Sequence, residues 1–169
     1  MEVSEEKKKK MTELLSQQLN LEYKAFYIYS ACNAYFDRSD VALQGLSKYF
    51  KKMYKEELTH AKGIIEYMNK NDINIEFKNI QIDDLKIKFE NLDVVSIFEK
   101  CIEFEKAVQK NILEMYKYAE ENDDYSLCVF LDPYVAEQVD SIKELKDHLK
   151  NAIRCKDNLG VYIFDQSFL

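Results

Sequence analysis

The chain has 169 residues and a net charge of -7, the size of one domain (residues 1–169) around one core, with an acidity that argues against phosphate-backbone binding and suits a protein that handles cations. One proline and three glycines leave few breaks, so the expectation is an all-α fold of long helices without an extensive sheet. No apolar run of about 18 residues reads as a membrane span and no apolar signal region opens the chain, so a cytoplasmic protein with no membrane or nucleic-acid partner is expected.

Four periodic segments are predicted, from Lys8 to Phe36, Asp40 to Asn69, Asp93 to Glu121 and Tyr125 to Ala152. The first follows Ser4, Glu5 and Glu6, and its Lys7 to Lys10 run reads as a solvated first turn. Its apolar stripe runs Met11, Leu15, Gln18, Glu22, Ala25, Tyr29, Cys32 and Phe36, alternating steps of four and three as one helix face requires. The short break at Asp37-Arg38-Ser39 predicts an antiparallel hairpin with the second segment.

In the second segment, Leu43, Leu46, Phe50, Met53, Glu57, His60, Ile64 and Tyr67 keep the same register. Glu57 and His60, three apart, therefore present a carboxylate and an imidazole to one point inside an apolar face, which is the geometry of a metal-ligand pair. From Asn71 to Leu92 the pattern changes to alternating Ile73, Ile75, Phe77, Ile80 and Ile82. A lone strand would have no partner, so this stretch reads as an extended crossover spanning a bundle.

The third stripe, Val94, Phe98, Cys101, Glu105, Val108, Ile112, Met115 and Ala119, is interrupted by Glu105. A short break at Asn122-Asp123-Asp124 leads to the fourth, Leu131, Tyr134, Gln138, Ile142, Leu145 and Leu149, interrupted by Gln138. Asp132-Pro133 also reads as a helix cap and first turn, which would shorten the fourth helix. Past Asn158-Leu159-Gly160 the chain ends in an apolar tail, Val161 to Phe164 with Phe168 and Leu169, either tucked in or shared between subunits. The four cysteines lie far apart with no CxxC pair, which reads as reduced thiols rather than disulfides or a zinc site.

Each helix thus turns one central ligand-type residue inward: Glu22, Glu57 with His60, Glu105, and Gln138. Measured from their hairpin turns, the two members of each pair differ in height by about 4 to 5 Å, so all can share a layer. Three buried carboxylates with no lysine or arginine in the stripes would be very costly, and a bound dication supplies the missing charge. Oxygen-rich ligands with one imidazole suit Fe(II), with Mn(II) or Zn(II) as alternatives, and a bridging Glu57 could hold two metals. The residues alone leave open a structural bundle whose polar layer sets helix register, and a di-iron oxidase acting on peroxide or an organic substrate.

Several motifs carry a resemblance over nearly the whole chain: Leu19-Asn20-Leu21-Glu22, Tyr35-Phe36-Asp37-Arg38 with Asp40-Val41-Ala42-Leu43, Glu56-Glu57 with His60-Ala61, Phe104-Glu105-Lys106, Tyr134-Val135-Ala136-Glu137-Gln138, and Gly160 to Asp165. Together they resemble a ferritin of the non-haem, heavy-chain-like or bacterial ferroxidase type. The resemblance implies a four-helix bundle with one long crossover between the second and third helices and a short C-terminal fifth helix.

It further implies that Glu22, Glu57 and His60 hold a first iron, that Glu57 bridges to a second iron held by Glu105, and that Gln138 hydrogen-bonds at the site. Tyr29 would adjoin it as a one-electron donor, and Glu56 and Glu137 would form a nearby transit or third-iron site. The implied activity is oxidation of Fe(II) to Fe(III) by dioxygen or peroxide at a di-iron centre, with ferric mineral stored in a hollow homo-oligomeric shell of 24 subunits. Haem is not expected, because Leu58, Gln138 and Ser141 stand where haem-binding relatives carry methionine and a fourth-helix ExxH.

Overall fold

The computed structural model describes residues 5–80, 93–155 and 157–169. Five helices follow one another, α1 (Glu5–Phe36), α2 (Gln44–Lys70), α3 (Val94–Glu121), α4 (Tyr125–Arg154) and α5 (Asn158–Gln166). This is the ferritin-like architecture of a four-helix bundle with a short terminal helix, and the described residues contain no strand. α1 packs along α2 and α3 along α4, with α1 also against α3.

The turn between α1 and α2 differs in one respect from the sequence expectation. α2 begins at Gln44 rather than Asp40. The amides of Val41 and Ala42 both donate to the Arg38 carbonyl, at 3.0 and 2.7 Å, and Leu43 N–H returns to Phe36 O at 3.1 Å. Ala42 takes a left-handed φ of 52° to close this loop, and a residue so placed cannot also propagate a right-handed helix.

Cap chemistry fixes the other ends. The Asp93 carboxylate accepts from Ser96 N at 2.8 Å to start α3, and the Asp124 carboxylate accepts from Leu127 N at 3.0 Å to start α4, each satisfying an amide that the first turn leaves unpaired. α4 therefore starts at Tyr125 and runs through Pro133 without a second start there. Asp132 instead accepts a hydrogen bond from the Tyr116 hydroxyl at 3.0 Å.

After α2 the chain turns upward along α1. Glu76 N–H donates to Ser16 Oγ at 3.2 Å, Phe77 lies against the Tyr23 ring, and Asn20 donates to Lys78 O at 3.3 Å. Ile73 and Ile75 pack on the core, whereas Phe77 is 70% exposed, so the alternation reads as a strap with one side inward. Residues 81–92 of the expected crossover, Ile82 among them, lie outside the described residues.

The interior is divided in two. One apolar cluster gathers Leu15, Leu19, Ile64, Ile112, Met115 and Leu131. The other gathers Phe36, Phe50, Phe98, Leu145 and Phe164. Because Leu15 sits with Met115 and Phe36 with Val94, α1 and α3 run antiparallel. Between the two clusters lies the polar layer. α5 closes one end of the bundle: Phe164 and Asp165 are buried, and Leu46 N–H donates to Asp165 Oδ1 at 2.7 Å. A Cβ on Gly45 would lie 1.9 Å from the Asp165 carbonyl oxygen, so glycine is what lets α5 approach α2 this closely.

Candidate metal centre

The interruptions of the four apolar stripes meet in the middle of the bundle. Glu22, Glu57, Glu105 and Gln138 are all buried, while His60 on α2 keeps 21% of its side chain exposed. One ligand atom from each of Glu22, Glu57 and His60 falls within 4.8 Å of the others. His60 Nδ1 is 3.6 Å from Glu22 Oε2 and 3.6 Å from Glu57 Oε2. These are separations for a small cation between the groups rather than for direct hydrogen bonds.

Glu105 completes the layer from α3 but is not part of that triad. It accepts hydrogen bonds from the Tyr29 hydroxyl and from Gln138 Nε2 on its two carboxylate oxygens. Gln138 also donates to the Glu105 carbonyl at 2.9 Å. Tyr29, fully buried on α1, is thereby tied to a buried carboxylate on α3. The layer therefore contains an open three-ligand cluster beside a carboxylate already held by two donors.

Two buried residues extend the layer in a way the sequence pattern did not flag. Gln18 Nε2 donates to Glu22 Oε1 at 2.5 Å, and Gln18 Oε1 accepts from Asn111 Nδ2 at 2.7 Å. Gln18 was visible as a polar member of the first stripe, one turn before Glu22. Asn111 lies one residue off the third stripe, where a polar side chain ordinarily faces water, so periodicity gave no signal.

The electrostatics are those of a site short of positive charge. Burial, together with the Glu22 and Glu105 carboxylates, raises the Glu57 carboxyl well above its ordinary range against the opposing contact with His60. Burial also raises Glu105, although Tyr29 and Gln138 pull it down. Burial alone would lower His60, but Glu22 and Glu57 outweigh it and push the imidazole up to about 11. Glu22 Oε2 is buried with no hydrogen-bond donor. A buried carboxylate oxygen left unpaired beside an imidazole nitrogen and a second carboxylate is a donor set that fits a divalent metal ion.

The outer edge of His60 leads to the surface. Its Nε2 lies 3.2 Å from Glu137 Oε1, and the Tyr134 ring packs edge-on against it, centroids 5.6 Å apart. A groove of about 580 Å³ opens here, lined by Glu56, Thr59, His60, Gly63, Tyr134 and Glu137 among others. Glu56 and Glu137 are about half exposed, and Glu56 faces Lys52 at 3.5 Å. A larger recess of about 750 Å³, where the start of α1 meets the ends of α2 and α3, holds no carboxylate-imidazole cluster.

Comparison with known proteins gives the chain's family. The ferritin-like domain matches residues 12–155. Soma ferritin of Lymnaea stagnalis is 36% identical over 156 residues, covering 92% of this chain and 88% of the relative. The chloroplastic ferritin-3 proteins of Glycine max and Arabidopsis thaliana are each 33% identical over 157 residues. The chain spans 92% of itself in both alignments but 61% of each plant relative.

Proposed function

Because this chain belongs to the ferritin family, whose members support a role in iron storage, we propose that its central polar layer is a di-iron ferroxidase centre. In this reading Fe(II) is the substrate, dioxygen or peroxide the oxidant, and Fe(III) leaves for a mineral store. The observation that carries it is the convergence of Glu22, Glu57 and His60 within 4.8 Å with an unpaired buried carboxylate oxygen among them.

The residues divide the work by position. His60 and Glu137 connect the groove, which Lys52 and Lys55 also line, to the interior, so an incoming cation meets Glu137 before the buried carboxylates. Glu22, Glu57 and His60 hold the first ion, and displacement of the protons held by Glu57 and His60 accompanies its arrival. Glu57 is acted on by both the Glu22 and the Glu105 carboxylates and would be the group to bridge to a second ion. For Glu105 to take that ion, Tyr29 and Gln138 release or share its oxygens, which keeps a phenol and an amide against the reacting site. Two adjacent ferrous ions can supply electrons to dioxygen together.

The same reading takes the chain as one domain with one centre, in the cytoplasm, assembled with copies of itself as a 24-subunit shell. The shell is supported by α5, which buries Phe164 yet leaves Leu159, Tyr162 and Ile163 exposed. Glu56 and Glu137 are proposed as a transit site. None of the described helices is long and apolar enough to cross a membrane.

Aerobic addition of Fe(II) to metal-free protein tests the proposal, with ferric absorbance followed beside a Glu57→Ala/His60→Ala variant. The expected result is a fast phase that ends near two irons per subunit and is lost in the variant, which stays folded. Oxidation no faster than in buffer would leave the layer as a structural device.

A further inference from the structure

We propose that Cys32 and Cys101 form a redox-active thiol pair that supplies two electrons to the metal layer through Tyr29, closing as a disulfide. The proposal rests on the ferroxidase reading and goes beyond it by assigning a function to two buried side chains which that reading leaves idle.

Placement carries it. The Tyr29 hydroxyl donates to Glu105 and so joins α1 to α3 at one height. Cys32 lies three residues beyond Tyr29 on α1, a rise of about 4.5 Å, and Cys101 lies four residues before Glu105 on α3, about 6 Å. Because the helices are antiparallel, both steps lead the same way, and the two cysteines come to one level directly beyond the Tyr29–Glu105 bridge. Both have no solvent exposure and belong to the same packed cluster as Tyr29. Both thiols are free and buried, and Cys32 together with burial holds the Cys101 thiol well above its ordinary range.

A neutral, water-excluded thiol is a poor nucleophile toward peroxide, since the thiolate is the reacting form. Direct oxidation is therefore slow, and Tyr29 provides the route. Tyr29 gives one electron to the oxidant and its phenolic proton to the Glu105 carboxylate. The Cys101 S–H bond then breaks, and its electron and proton together restore the phenol. The Cys101 sulfur joins the Cys32 sulfur, and after Tyr29 is oxidised a second time the Cys32 S–H proton and the second electron restore the phenol, each proton taken by Glu105 passing on to a peroxide oxygen. One hydrogen peroxide takes both its electrons from the two Fe(II), so a second serves the thiols: its O–O bond and two S–H bonds break, one S–S bond forms, and both of its oxygens leave as water.

The test uses the full chain with Cys128→Ser and Cys155→Ser, so that Cys32 and Cys101 are its remaining thiols. Metal-free protein receives two Fe(II) per subunit and then at least two hydrogen peroxide per subunit. It is quenched in acidic denaturant, alkylated and weighed, with ferric absorbance recorded on the same sample. The expected result is loss of both thiols and a peptide linking Cys32 to Cys101, at least tenfold slower with Tyr29→Phe, which keeps the ring packing. Peroxide without iron should leave both thiols intact. Iron oxidation with both thiols still free overturns the thiol pair but not the ferroxidase centre, and absence of iron oxidation overturns both. Equal thiol loss in Tyr29→Phe, or with peroxide alone, overturns the route through Tyr29.

Discussion

At the scale of single residues, the central polar layer of the metal-free protein holds protons that a bound cation would replace. Folding raises Glu57 and Glu105 above the ordinary carboxylate range and His60 to about 11. A group whose pKa is higher folded than unfolded stabilises the fold below its unfolded pKa and loses that contribution as pH rises through the folded value. All three groups share this sign. The metal-free protein should therefore lose stability from about pH 5 upward through the carboxylates and from about 6.5 to about 11 through His60, read as a falling urea midpoint. Saturating Zn(II) should flatten that slope and release protons on binding, which calorimetry in buffers of different ionisation enthalpy measures. A second prediction concerns Gln18, whose amide fixes Glu22 Oε1 and leaves Oε2 for a ligand. Gln18→Leu should weaken first-site metal affinity by about 10- to 100-fold with folding retained, in a Co(II) titration. The buried carboxylates of the layer were legible from the sequence, because a carboxylate inside an apolar stripe is conspicuous. Asn111 was not, because it falls off the stripe and its burial depends on where α1 sits.

Among the elements, helix existence follows from periodicity, whereas helix ends follow from backbone geometry that composition conceals. The stripe containing Leu43 predicted a second helix from Asp40, yet the Arg38 carbonyl captures the next amides and Ala42 adopts φ 52°. Nothing in the residue type announces a left-handed alanine. Ala42→Gly should accordingly stabilise the fold by about 1 kcal/mol, seen as a higher urea midpoint at unchanged slope. Asp72 and Asp123 take the same conformation, but their short polar side chains tolerate it. Pro133 was ambiguous from sequence because proline suits a first turn, whereas in a helix interior it forfeits a backbone hydrogen bond. The Asp124 cap settles the start of α4 upstream of it. The docking of α5 depends on Gly45, where any Cβ meets the backbone of Asp165. Gly45→Ala should cost about 2 kcal/mol or more and free α5, with loss of protection of the Leu46 amide in hydrogen exchange.

For the whole molecule, one end of the bundle is closed by aromatic packing and the middle is opened by charge. Phe98, His148, Phe164 and Phe168 stack between α3, α4 and α5, while the outer face of α5 carries Leu159, Tyr162 and Ile163 to solvent. An apolar face rigidly held on a chain of net charge -7 suits burial against further copies. Leu159→Lys with Ile163→Lys should abolish the large assembly in analytical ultracentrifugation and leave the helical signal intact. The division of the core by the polar layer gives the account its central claim, that two irons sit among Glu22, Glu57, His60 and Glu105. Crystals soaked anaerobically in Fe(II), with anomalous data collected on both sides of the iron edge, test it most directly. The account predicts two peaks in the layer about 3.5 to 4 Å apart, one among Glu22, Glu57 and His60 and one against Glu105. Peaks confined to the surface at Glu56 and Glu137, with the layer empty, would contradict it.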